Sequence, residues 1–98
     1  MKKKIFENYV RYIAELFSIS EQEMLKKSKE RNVVYARNML FYLCRRRKIP
    51  IVELQKYLAE RGFVITHAGI LSGINTANKT IVKDSDYKSE IIKIEQVF

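Results

Sequence analysis

This 98-residue chain predicts an all-α fold: about six helices in a compact bundle that contains a helix-turn-helix. Three observations lead there. Apolar residues recur at steps of three and four through most of the chain, the spacing of one helix face. Three glycines and one proline leave too little turn chemistry for a sandwich or barrel. The β-branched run FVITH is short and has no second clear strand to pair with, so it is read as an extended connector. The composition, 47% hydrophobic and 31% charged, suits a folded chain. One domain over 1–98 is expected, with a modest core.

The elements follow in order. Ile5, Tyr9, Ile13 and Leu16 or Phe17 mark a first amphipathic helix, about 5–17. Ser20 with Glu23 three residues on forms a capping box, so a short second helix starts there and ends near Lys27. SKER is a polar break. Val33, Val34, Arg37, Leu40, Phe41 and Cys44 fit a third helix, about 31–47, whose closing RRRK complements the helix dipole. Pro50 cannot continue it. IVELQKYLAERG gives a fourth helix with Leu54, Tyr57 and Leu58 inward and Gly62 at its C-terminal end. From Thr66, the stripe Ile70, Leu71 and Ile74 gives a fifth, running on towards Ile81. Tyr87, Ile91 and Ile94 form the last, capped by Asp84 or Asp86. The aromatics Phe6, Tyr9, Tyr12, Phe17, Tyr35, Phe41, Tyr42 and Tyr57 sit at helical spacing and are assigned to the core. No internal repeat is present.

The net charge of +8 is unevenly placed. Residues 1–25 and 50–98 each sum to zero. The whole excess lies between Lys26 and Lys48, where nine basic residues meet one acid, Glu30. A folded surface of one sign repels itself and is suited to a polyanion. Nucleic acid is the first candidate, because phosphate neutralisation supplies most non-specific affinity. An anionic membrane surface ranks lower, since the neighbouring aromatics belong to helical periods.

Other classes are weakly supported. No apolar run reaches the roughly 18 residues of a membrane span, and the basic start MKKKIF leads into a charged helix, not a secretory core. The lone Cys44 permits no internal disulfide, reads as a small apolar helix residue, and fits a cytoplasmic setting. The single histidine, His67, has no second ligand at metal spacing. No nucleophile–base pair, phosphate-binding glycine loop or carboxylate pair points to an enzyme, and no cofactor is expected.

Helix–turn–helix spacing around Gly62 makes THAGILSGI the expected recognition helix, the element whose first residues read base edges in the major groove. Its glycines at 69 and 73 weaken it, at about 1 kcal/mol each against alanine. In return they permit close approach by a neighbouring helix or a nucleic-acid backbone.

The run AELFSISEQEMLKKSKERNVVYARNMLFYLC resembles the C-terminal DNA-binding domain of the bacterial replication initiator DnaA, an all-helical fold with a helix-turn-helix like that of the Trp repressor. The resemblance rests on Ala14-Glu15, Phe17, Ile19, Leu25, the basic loop Lys26 to Arg31, and Arg37-Asn38-Met39. It continues more weakly through Glu53-Leu54 and His67, about residues 9–95 in all. The chain departs from the family's Asp-His-Thr-Thr signature, with Thr66 for the Asp and Ala68 and Gly69 for the threonines. Its connector RGFVIT is about four residues longer than the family's Gly-Gly-Arg turn. The initiator's ATPase and oligomerisation regions have no counterpart, so the expectation is a stand-alone relative of the kind a phage or other mobile element encodes.

The resemblance implies a set of contacts. Lys29 takes the place of the basic-loop arginine that enters the minor groove, with Lys27 beside it. Arg31, Arg37 and Arg45 match basic positions near phosphates, Asn38 replaces a glutamine beside them, and Ile51 and Val52 stand where backbone amides meet a phosphate. Thr66, His67, Ala68 and Gly69 fall on the base-reading positions, where Ala68 keeps a methyl for a thymine. Ser72 and Asn75, on later turns, could add hydrogen bonds; that assignment comes from this chain's own spacing. The function expected is double-stranded DNA binding, with sequence preference, in replication initiation or its regulation. The alternative is an adaptor that docks on a replication or transcription partner through the basic face, its base reading lost. RNA binding lacks an exposed aromatic motif on a sheet.

Overall fold

The computed structural model describes residues 1–98. It forms six helices and no strand: α1 (Lys2–Leu16), α2 (Glu21–Met24), α3 (Arg31–Arg46), α4 (Ile51–Glu60), α5 (His67–Lys83) and α6 (Ser85–Val97). α3 is the central rod. Eight of its sixteen residues are buried, and α1, α2, α5 and α6 all pack on it. Twenty-three buried residues make one apolar cluster. Phe6, Tyr9 and Phe41 lie inside it, and Tyr12, Phe17, Tyr35, Tyr42 and Tyr57 pack against it. The eight aromatics therefore serve the core, where burying a large apolar side chain contributes about 1.5–3 kcal/mol. Cys44 is wholly buried, and burial pushes its thiol up into the protonated, unreactive form.

Three helices end in the same way. At α1, α3 and α4 the residue after the cap is left-handed: Ser18 (φ 55°), Lys48 (φ 62°) and Gly62 (φ 85°). In each case the next residue's N–H reaches back across the last turn: Ile19 to Ala14 O, Ile49 to Cys44 O, and Phe63 to Leu58 O. These are Schellman motifs. Ile49 and Phe63 then plug the core, at 0% and 4% exposure. Only one of the three positions is glycine.

α2 is shorter than the sequence pattern suggests, stopping at Met24. Beyond it the chain is a loop held by α3: Arg37 Nη1 donates to Lys26 O at 2.8 Å and Arg37 Nη2 to Ser28 O at 3.3 Å. The capping box is half present. Ser20 Oγ accepts from Glu23 N at 3.0 Å, without the reciprocal bond. α5 runs two residues past Ile81, to Lys83. Asp84 caps α6, accepting from Asp86 N and Tyr87 N. Tyr87 then fastens α6 to α3 by donating to Tyr35 O at 3.0 Å, with its ring edge-on to that of Tyr35.

The two glycines of α5 have different reasons. Gly73 is buried where α5 crosses α3, and a Cβ there would stand 2.7 Å from Asn38 Oδ1 and 2.8 Å from Phe41 Cδ2. Gly69 faces only Ile65 and Thr66, with Ile65 Cγ1 at 2.9 Å. Ile65 is half-buried and can turn away. Gly73→Ala is therefore expected to destabilise by about 1–2 kcal/mol, overpacking against the fixed Phe41 ring outweighing the gain in helix propensity. Gly69→Ala should stay within about 1 kcal/mol of the parent. Ser18→Gly, by relieving the left-handed strain, should stabilise by about 0.5–1 kcal/mol. Urea unfolding of the three variants checks the two signs and the near-neutral case.

Candidate nucleic-acid interface

The basic loop Lys26–Glu30 is short and polar, and it is held from below. Ser28 Oγ accepts from Glu30 N at 3.1 Å and tightens the turn into α3. Arg37, half-buried on α3, forks onto the two loop carbonyls, and its guanidinium carbon lies 5.3 Å from the centre of the Phe63 ring. Phe63 opens the path to α5. One arginine thus joins the loop, the central helix and the connector. Burial lowers its pKa, yet guanidinium stays charged at any physiological pH.

Between loop and connector lies an open cleft of about 480 Å³, lined by Lys27, Ser28, Lys29 and Arg37 on one side and Phe63, Val64, Ile65 and Thr66 on the other. Residues nearly forty positions apart in sequence share it. Thr66 is the cap of α5, its Oγ1 accepting from Gly69 N at 2.9 Å. Gln55 of α4 donates to Ile65 O at 3.0 Å, fixing the connector against the first motif helix.

The remaining candidates fall in three places. Arg45 reaches Ile49 O at 3.4 Å, beside the start of α4. There the amides of Ile51, Val52 and Glu53 find no partner in the chain, because the cap is Pro50 and no side chain replaces it. A helix start with free amides favours an anion. Arg31 stands at the head of α3, over the Tyr35 ring at 5.4 Å. On α5, Ala68, Ser72 and Asn75 share one exposed stripe and His67 precedes it, while Gly69 is half-covered. Asn38 lies elsewhere: it is 8% exposed and its side chain packs against Gly73. The α3–α5 crossing occupies it, so it is not available to an outside ligand.

The charge segregation is physical as well as sequential. Arg61 pairs with Glu21 at 2.8 Å and with Glu7, Lys3 with Glu60, and Lys93 with Glu90. Of the basic block, only Arg46 forms an ion pair, with Glu95 at 2.9 Å. Arg47 is occupied by Tyr9 Oη and the Phe98 carbonyl. Lys26, Lys27, Lys29 and Lys48 are exposed and unpaired. The connector residues Phe63, Val64 and Ile65 are the part of the cleft that sequence reasoning missed. Their one signal was the β-branched run, which reads as an extended connector and not as a site.

Comparison with known proteins adds a second line of support. Residues 6–74 match the family described as bacterial dnaA protein helix-turn-helix. Two curated relatives are chromosomal replication initiator proteins DnaA. The one from Nautilia profundicola is 32% identical over 101 residues, covering 98% of this chain and 21% of the relative. The one from Lachnoclostridium phytofermentans is 28% identical over 83 residues, covering 84% and 17%. The chain spans about a fifth of the length of these relatives. No solved structure matches it significantly. No helix is long and apolar enough to cross a membrane.

Arg37 is the residue on which the cleft's shape turns. Arg37→Ala is expected to speed tryptic cleavage within the loop 26–30 several-fold, its carbonyls losing their anchor, while leaving the α3 core protected from amide exchange. Arg37→Lys should not restore protection, because an ammonium cannot fork onto two carbonyls as a guanidinium does. Limited trypsin digestion and hydrogen exchange, both read by mass spectrometry, check these outcomes.

Proposed function

The chain belongs to the bacterial DnaA helix-turn-helix family, and from that membership we propose that it binds double-stranded DNA, with sequence preference, in replication initiation or its regulation. The observation that carries this is the shared cleft: unpaired Lys27 and Lys29 face the cap of α5 across one groove. In this reading residues 1–98 act as one helix-turn-helix domain in the cytoplasm. Lys29 approaches the minor groove. Lys27, Arg31 and Arg45 meet phosphates, as do the free amides of Ile51 and Val52. The start of α5, from Thr66 through His67, Ala68 and Gly69, enters the major groove, with Ser72 and Asn75 one and two turns further on. Arg37 contributes by holding the loop.

A second reading has its own observation. Ala68 and Gly69 carry no polar side-chain group, so a chain that kept the grip and lost the reading would serve as an adaptor on a replication or transcription partner.

Anisotropy titrations on duplex DNA at several salt concentrations test the proposal. A steep fall of log Kd-derived affinity with log salt is expected, and Lys29→Ala should reduce the slope by about 1. Absence of duplex binding at low salt removes the DNA reading and leaves the adaptor.

A further inference from the structure

The link from α4 to α5, Arg61 to Thr66, is six residues long, where a helix-turn-helix commonly needs three or four. Extra residues in a surface loop ordinarily bring mobility. Here they are anchored on both sides of one position. Phe63 is 4% exposed, its N–H donates to Leu58 O at 2.9 Å, and its ring lies beneath Arg37. Ile65 gives its carbonyl to Gln55 and packs against Gly69, and Thr66 is fixed as the α5 cap. Between these anchors Val64 turns outward, 73% exposed.

A single exposed valine carries no meaning. Its setting does. Val64 lines the cleft with Lys27 and Lys29, whose ammonium groups have no acidic partner. A branched apolar side chain between two anchored neighbours and beside free cations fits a polyanion that also offers apolar groups. Duplex DNA offers one at each thymine, the C5 methyl in the major groove. The position is next to the start of α5, whose Ala68 and Gly69 bring only one methyl of their own.

We infer that Val64 packs on a thymine methyl at the edge of the DNA site and supplies apolar base discrimination that the first turn of α5 lacks. The inference rests on the duplex reading above and adds a specificity-determining residue to it.

The test uses the full chain. Sites are enriched from a random duplex pool, and each thymine of the enriched site is replaced in turn by deoxyuridine, which removes only the methyl. Affinities of the parent and of Val64→Ala are then compared. Val64→Ala should weaken the enriched site about three- to tenfold, the scale of losing one or two buried methyl contacts. Random duplex, the salt slope and the melting temperature should not change, because the residue is exposed and uncharged. One deoxyuridine position should weaken the parent by a similar factor and leave Val64→Ala indifferent. Equal losses in both proteins at every position overturn the inference, as does unchanged affinity of Val64→Ala or a pool that enriches no site; duplex binding survives all three. A parent that binds no duplex at low salt removes the functional reading itself, and this inference with it.

Discussion

The close crossing of α5 on α3 at Gly73 sets where everything else can stand. With Phe41 and Asn38 at less than 3 Å from the missing Cβ, α5 has one depth at which it fits. That depth lets Ile70 and Ala77 reach the core and leaves the stripe of Ala68, Ser72 and Asn75 outside. It also fixes the start of α5 relative to the head of α3, from which the basic loop departs. Interiors packed at crystal density transmit such a constraint over several residues with little give. A glycine that weakens the helix in isolation therefore strengthens the bundle.

Upon that frame the charges are sorted. Carboxylates on α1, α2, α4 and α6 are used in ion pairs that tie the outer helices, Arg61 alone bridging Glu7 and Glu21. Exposed pairs of this kind contribute only about 0–1 kcal/mol each. Their larger effect is by subtraction: acids engaged there are not available to neutralise the loop. The like-charged surface that results raises the energy of the free chain through self-repulsion. A polyanionic ligand would relieve that repulsion.

Much of this was legible in the sequence. Six helices were visible because five carry an apolar stripe and α2 is marked by its Ser20 cap, and the family was visible because its motif runs through α1–α3. What could not be read has a common cause. Ser18 and Lys48 end helices in left-handed conformations that usually call for glycine, so no sequence cue marked them. α2 stops early and the loop beyond it is held by Arg37, eleven residues from Lys26. Asn38 pointed to a ligand by family position, yet a side chain opposite a glycine on another helix fills the space that glycine leaves. In each case the deciding partner is a backbone geometry or a distant side chain, which periodicity does not report. The residues of the cleft were likewise found on its basic side and missed on its apolar side, since phosphate-binding chemistry is written in charge and connector packing is not.

On the duplex reading, the site separates grip from discrimination. The grip comes from the loop cations and the α4 start, none of which lies on α5, so substitutions at the start of α5 leave it standing. Discrimination has few donors. A bidentate base contact is worth about 1–3 kcal/mol, and the start of α5 has only His67 and the hydroxyl hydrogen of Thr66, whose Oγ1 already accepts as the cap, to offer a base. Apolar contacts add smaller increments. Specificity would then be a modest step above a strong electrostatic background, and it would sharpen as salt weakens that background without touching the contacts that read bases. On the same reading the longer connector would extend the reading surface beyond a helix whose Gly73 serves the crossing with α3.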